Sequence, residues 1–148
     1  MRVLGVDFGE RRIGLAISDE EGRLAVPHSV LERRDDRSAA QAIAAIARRE
    51  GVGELVVGEP RRLDGTAGEA AARARRFAAR LAEQAGIPCR LVDEALTTDE
   101  ARRRLREAGG SGRRRPERLD ALAAQVLLEE YLGRRSGTDG SGAAGGER

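Results

Sequence analysis

Residues 2–18 read RVLGVDFGERRIGLAIS, and they decide the fold. Arg2–Asp7 is a short apolar run stopped by Phe8-Gly9, the pattern of a buried strand. Arg11–Ser18 alternates Ile13, Leu15 and Ile17 with smaller residues and predicts a second strand. The connection between them is too short for a crossover, so the two must pair antiparallel. A tight turn at Asp19-Glu20-Glu21-Gly22 leads to a third strand over about Arg23–Leu31, and Pro27 places that strand at the sheet edge.

Beyond this meander the pattern changes. Arg37–Glu50 carries Ala40, Ile43, Ala44, Ile46 and Ala47 at helical spacing and is closed by Gly51; Glu54–Gly58 is a fourth strand. Gly68–Ala85 is an Ala/Arg helix, with Thr66 and Glu69 spaced as a capping box and Gly86 at its end. Pro88–Asp93 is a fifth strand. Thr97 to Glu100 forms a second capping box before a helix to about Ala108, and Pro116 opens a last helix through about Leu132. From Gly133 the chain reads GRRSGTDGSGAAGGER, too poor in apolar residues to pack, so 133–148 is expected to be a disordered tail behind one domain, 1–132. The expectation is an α/β fold: a mixed five-stranded sheet flanked by helices, strands 1–3 antiparallel, strands 4 and 5 parallel to strand 1 through helical crossovers.

Composition narrows the chemistry. A chain of 148 residues fits one domain. A single Cys, Cys89, excludes a disulfide framework; with a single His, His28, it also excludes the standard zinc sets and argues against a His-activated nucleophile. No apolar run approaches a bilayer span and no signal-peptide pattern opens the chain, so a cytoplasmic protein without membrane contact is expected. Catalysis is left to carboxylates, arginines and backbone. All 27 basic residues are arginine. Within residues 100–118, eight arginines stand against Glu100, Glu107 and Glu117, a net +5 that leaves −3 for the rest of the chain. Such concentration is the footprint of a polyanionic partner, although a solvated Arg-rich helix would carry the same charge.

Ligands of open α/β sheets bind beyond the carboxyl ends of the parallel strands. Asp7 ends strand 1, Glu59 follows strand 4, and Asp93-Glu94 ends strand 5. On the last helix Asp120 falls inside the apolar stripe of Leu119, Ala123, Ala124, Leu127 and Tyr131, where an unpaired charge costs several kcal/mol. Singly, Asp7 reads as a polar strand terminator and Asp120 as an acid favoured at a helix start. Together, two carboxylates about 4 Å apart repel by roughly 4 kcal/mol at an effective dielectric of 20. Protonation of one of them relieves this, and so does a divalent cation; hard oxygen donors suit Mg2+ or Mn2+. A pair of such ions activates water and stabilises the leaving oxygen in phosphodiester hydrolysis. Arg113, Arg114 and Arg115, just before Asp120, are candidates for nucleic-acid backbone contacts, as is Arg12. Strand alternation allows only one of Asp93 and Glu94 to face the site.

The ordered set Asp7-Phe8-Gly9, Arg12-Ile13-Gly14, Val56-Val57-Gly58-Glu59-Pro60, Asp64-Gly65-Thr66, Asp93-Glu94-Ala95-Leu96-Thr97-Thr98, Asp120 with Ala123-Ala124, and Tyr131-Leu132 resembles the YqgF (RuvX-type) family over about Arg2–Leu132. The resemblance implies an RNase H-like fold and a metal-dependent endonuclease. Its implied substrate is the 5′ end of pre-16S rRNA in ribosomal precursor particles, or a Holliday junction in DNA, acted on by a monomer or homodimer. The family acids carry onto Asp7, Glu94 and Asp120. Two positions depart from the family pattern: Ala95 stands where an Arg is usual, and Glu59 where an aliphatic residue is usual. A non-catalytic nucleic-acid-binding factor is the competing reading. An ATPase of the actin and sugar-kinase type shares the strand-1 Asp-x-Gly and the β-β-β-α-β-α start, but it needs two such domains.

Overall fold

The computed structural model describes residues 1–9, 11–59, 68–93, 103, 107 and 116–142. Five strands, β1 (Arg2–Phe8), β2 (Arg12–Ser18), β3 (Ala25–Glu32), β4 (Val52–Glu59) and β5 (Cys89–Asp93), form one sheet in the order β3-β2-β1-β4-β5. β1–β2 and β2–β3 pair antiparallel, whereas β1–β4 and β4–β5 pair parallel. The mixed sheet is the one that the short first connection and the later crossovers demand. β3 lies at the edge, and Pro27 is accommodated where its register with β2 slips between Leu15 and Ala16.

Three helices complete the described fold: α1 (Asp36–Glu50), α2 (Glu69–Ala85) and α3 (Pro116–Gly142). α1 starts one residue before the expected Arg37, because the Asp35 carboxylate caps it, accepting from the Ser38 amide at 2.8 Å and the Ser38 hydroxyl at 3.0 Å. The start of α2 differs from the capping-box expectation. Gly68 is its cap residue and makes no side-chain hydrogen bond, so Glu69 is the first helical residue, placed to complement the positive end of the helix dipole. Thr66 and the second box at Thr97 to Glu100 lie outside the described residues, as does the helix expected over 97–108 except for Arg103 and Glu107, both helical.

Strand alternation sorts the sheet into two faces. Leu4, Val6 and Phe8 of β1, Ile13, Leu15 and Ile17 of β2, and Leu55 and Val57 of β4 pack with Ile43 and Ala47 of α1 and Phe77 and Leu81 of α2. On the other face Val3, Ala16, Val56 and Val92 pack with Ala124, Leu127, Leu128 and Leu132 of α3. The result is a three-layer α/β/α arrangement, with α3 alone among the described helices on its side.

α3 can lie this close because β1 and β2 present glycines to it. A Cβ on Gly5 would stand 3.0 Å from the Leu128 Cβ, and one on Gly14 would stand 2.1 Å from the backbone oxygen of Asp120. The helix therefore rests backbone against backbone at its first turns. Its far end is anchored differently. Glu54 of β4, 4% exposed, accepts from Tyr131 Oη, Arg135 Nη1 and Arg90 Nε, each at 2.8 Å. Burial, reinforced by the Glu54 charge, pushes the Cys89 thiol up to about 12, which keeps it protonated and unreactive. Burial followed by the hydrogen bond to Glu54 also raises the Tyr131 phenol.

The helix runs past the expected end at Leu132 to Gly142. Arg135 supplies a reason: the buried Glu54 carboxylate needs charged donors, and one of them comes from beyond the last apolar residue of the stripe.

Two stability measurements check this account. Gly14→Ala, which forces a methyl into the Asp120 carbonyl, should cost about 3 kcal/mol in urea unfolding, whereas Gly133→Ala, with nothing within 4 Å, should be neutral or stabilise by up to about 1 kcal/mol. Arg135→Ala, which removes a donor from Glu54, should cost about 1 kcal/mol despite lying in the segment expected to be tail.

Candidate active site

Three of the sequence-derived site residues meet at one end of the α3 face. Asp7, at the carboxyl end of β1, is paired across the antiparallel ladder with Gly14. Gly14 in turn lies directly beneath the Asp120 backbone. Asp7 and Asp120 are thus brought to the same end of the same face through a residue that has no side chain to part them. Asp120 sits in the first turns of α3, which Pro116 opens, with its backbone over Gly14 of β2. Its carboxylate is 26% exposed and accepts at 2.8 Å from Nε of Arg12, the residue two positions before Gly14 on the same face of β2. Asp7 is half-buried.

Arg12 is therefore paired with the helix acid from a strand next to the sheet edge. β2 is an inner strand, and the guanidinium, 32% exposed, neutralises the helix acid. Glu94 and Arg113, Arg114 and Arg115 lie outside the described residues, as does Ala95.

The other two strand-end acids go elsewhere. In the parallel ladders Gly5 pairs with Val56 and Val56 with Arg90, so even-numbered residues of β4 and β5 share the face of Asp7. Glu59 and Asp93, paired with each other in register, belong to the α1/α2 face. Glu59 is 8% exposed and accepts a hydrogen bond from Arg75 of α2. The acid that departs from the family pattern is thus a buried anchor for α2.

Sequence reading missed Arg33. Its guanidinium stacks 4.1 Å over the Phe8 ring, which itself stacks on Phe77 with centroids 4.3 Å apart. Nη1 of Arg33 donates to the Gly9 carbonyl at 2.9 Å and Nε to Asp36 at 3.0 Å. Arg33 fixes the turn that follows Asp7. No local signal separates it from Arg34, which is exposed and lies 3.9 Å from Glu32. Gly9 closes the same turn by approach rather than by dihedral angle: a Cβ there would stand 2.6 Å from the Arg12 carbonyl, to which its own amide donates.

Asp7 and Asp120 offer hard oxygen donors at an accessible sheet edge, the donor chemistry that Mg2+ or Mn2+ requires. Among the described residues no group of three or more potential ligands gathers, and these two acids are what the described site contributes.

Comparison with known proteins gives a consistent family. The RuvX family, described as Holliday junction resolvase, matches residues 1–134. A protein of Anaeromyxobacter sp. (strain Fw109-5), named "Putative pre-16S rRNA nuclease", is 47% identical over 132 residues, covering 89% of this chain and 96% of its own. One of the same name from Maridesulfovibrio salexigens is 40% identical over 134 residues, covering 90% and 99%. Among solved structures, T. thermophilus RuvC in complex with a Holliday junction substrate superposes with a TM-score of 0.59 at 21% identity, covering 93% of this chain and 97% of that one, a likeness of fold.

The division of the acids between faces has a measurable consequence. Glu59→Gln should lower the melting temperature, at a cost of about 1–2 kcal/mol for the lost charged partner of Arg75, while leaving Mn2+ binding within twofold of the unaltered protein.

Proposed function

The chain belongs to the RuvX family, and from that membership we propose that it is a metal-dependent endonuclease hydrolysing phosphodiesters in structured nucleic acid. The observation that carries the proposal is the convergence of Asp7 and Asp120, from opposite ends of the chain, at one end of the α3 face.

Asp7, Asp120 and Glu94 are the residues that would hold Mg2+ or Mn2+. Asp93 shares the face of Glu59, away from Asp7, and Glu94 is chosen on the family motif. When bound, the divalent ion supplies an activated water and a polarised phosphoryl oxygen. The chain's own contribution is placement. β1 holds Asp7 rigidly in the sheet, with Arg33 locking the turn behind it, and α3 delivers Asp120 through backbone packing on Gly14. Arg12 and the Arg113–Arg115 run would contact backbone phosphates, giving salt-dependent affinity without base selection.

The names of the relatives favour pre-16S rRNA as substrate, and the family resemblance adds its 5′ end, within ribosomal precursor particles in the cytoplasm. The family description favours a second reading, a four-way DNA junction. Monomer or homodimer both accommodate a single site per chain, and all the proposed site residues lie within 1–132.

Incubation with pre-16S rRNA fragments and with four-way junctions, with Mn2+ or with chelator, tests both readings. Cleavage should require the metal, and Asp7→Asn should reduce it at least about 100-fold with the thermal melt nearly unchanged. Unreduced cleavage by Asp7→Asn removes Asp7 from the mechanism, and salt-sensitive binding without turnover on either substrate would make the protein a binding factor instead.

A further inference from the structure

The Arg12–Asp120 pair raises a question that the nuclease reading leaves open. The carboxylate that would hold a divalent cation already carries a cationic partner at 2.8 Å. A guanidinium beside Asp120 cancels much of the field that attracts the ion and repels the ion itself. The contact is not a permanently sealed one. Both side chains keep about a third or a quarter of their surface in contact with solvent, 32% and 26%, and Arg12 has a planar fork suited to phosphate as well as to carboxylate. Glu54 shows what a sealed pair looks like in this protein: its carboxylate is 6% exposed and meets two arginines and a tyrosine.

Resting on the nuclease reading, we propose that Arg12 is a charge gate that couples divalent-ion binding to nucleic-acid binding. In the substrate-free protein Arg12 neutralises Asp120 and keeps ion affinity low. A phosphodiester backbone arriving at the same sheet edge draws the guanidinium onto a phosphate, so Asp120 regains its full charge as the substrate is seated. By linkage, the ion then tightens nucleic-acid binding by the same factor. The device keeps the acids from stable charging with metal until there is a backbone to cut, and it explains why an arginine stands two residues from the glycine beneath Asp120.

Mn2+ binding to the full chain, read from the electron paramagnetic resonance signal of free Mn2+ without nucleic acid, tests the gate. Arg12→Gln should bind Mn2+ about tenfold more tightly than the unaltered protein, as removal of a competing cation beside Asp120 requires. Adding a non-cleavable 2′-O-methyl RNA duplex should tighten Mn2+ binding of the unaltered protein about tenfold and that of Arg12→Gln little. Should Arg12→Gln fail to fold, judged by its thermal melt, the duplex-induced shift in the unaltered protein decides alone. Equal or weaker Mn2+ affinity in a folded Arg12→Gln, or no shift on adding duplex, overturns the gate. Asp7→Asn separates the two ideas: if it abolishes Mn2+ binding while Arg12→Gln changes nothing, only the gate falls; if Mn2+ binding survives Asp7→Asn, the metal site and the gate fall together.

Discussion

Backbone-to-backbone contact between α3 and the β1–β2 ladder is the constraint on which the molecule turns. Gly14 has Asp7 as its ladder partner and the Asp120 carbonyl above it, and Gly5 receives Leu128 two turns further along the helix. One line of contact therefore does two jobs. It closes the second apolar layer, where Ala124, Leu127 and Leu128 cover Val3, Ala16 and Val56, and it delivers an acid from near the end of the chain to an acid near its beginning. A side chain at position 14 would lift the helix and lose both packing and convergence, since interiors at crystal-like density do not absorb a displaced methyl.

The sheet then acts as a sorter of charge. Adjacent residues along a strand face opposite layers, so a single step in sequence separates an acid at the site from an acid in the core of the other layer. Asp7 lies under α3; Glu59 and Asp93 lie under α1 and α2. Glu59 is then answered by Arg75 from α2 rather than by a cation from solvent. Of the three described strand-end carboxylates, Asp7 alone lies on the face of α3, and the electrostatics of that sheet end follow from this division.

How far this was readable beforehand depends on the range of the interaction concerned. The meander, the edge position of β3 and the parallel return of β4 and β5 are legible because turn length, Pro27 and crossover length act locally or through topology rules. Asp120 is legible as an anomaly, an acid on an apolar stripe, and Asp7 as a strand-end acid. What Asp120 touches is not legible, because the pairing with Arg12 depends on how α3 crosses the sheet over Gly5 and Gly14. The same holds for Arg33, indistinguishable from Arg34 until Phe8 and Gly9 are in place beside it. The helix boundary at Leu132 fails for a related reason: apolar content ends there, but the donor that Glu54 requires comes three residues later.

Two acids paired with arginine on the same face make the last comparison instructive. Glu54, inside the sheet, is surrounded by Arg90, Tyr131 and Arg135, and removing any one donor leaves a desolvated charge with partners still at hand. Asp120, at the rim, meets Arg12 among the described residues and keeps a solvent-exposed side. Desolvation makes the first pair a fixture, because separating it would strand a charge in low dielectric. At the rim, water can solvate either partner once they part, so the same chemical pair separates at small cost. Burial, more than residue type, therefore decides which carboxylate holds the fold together and which one stays open to a change of partner.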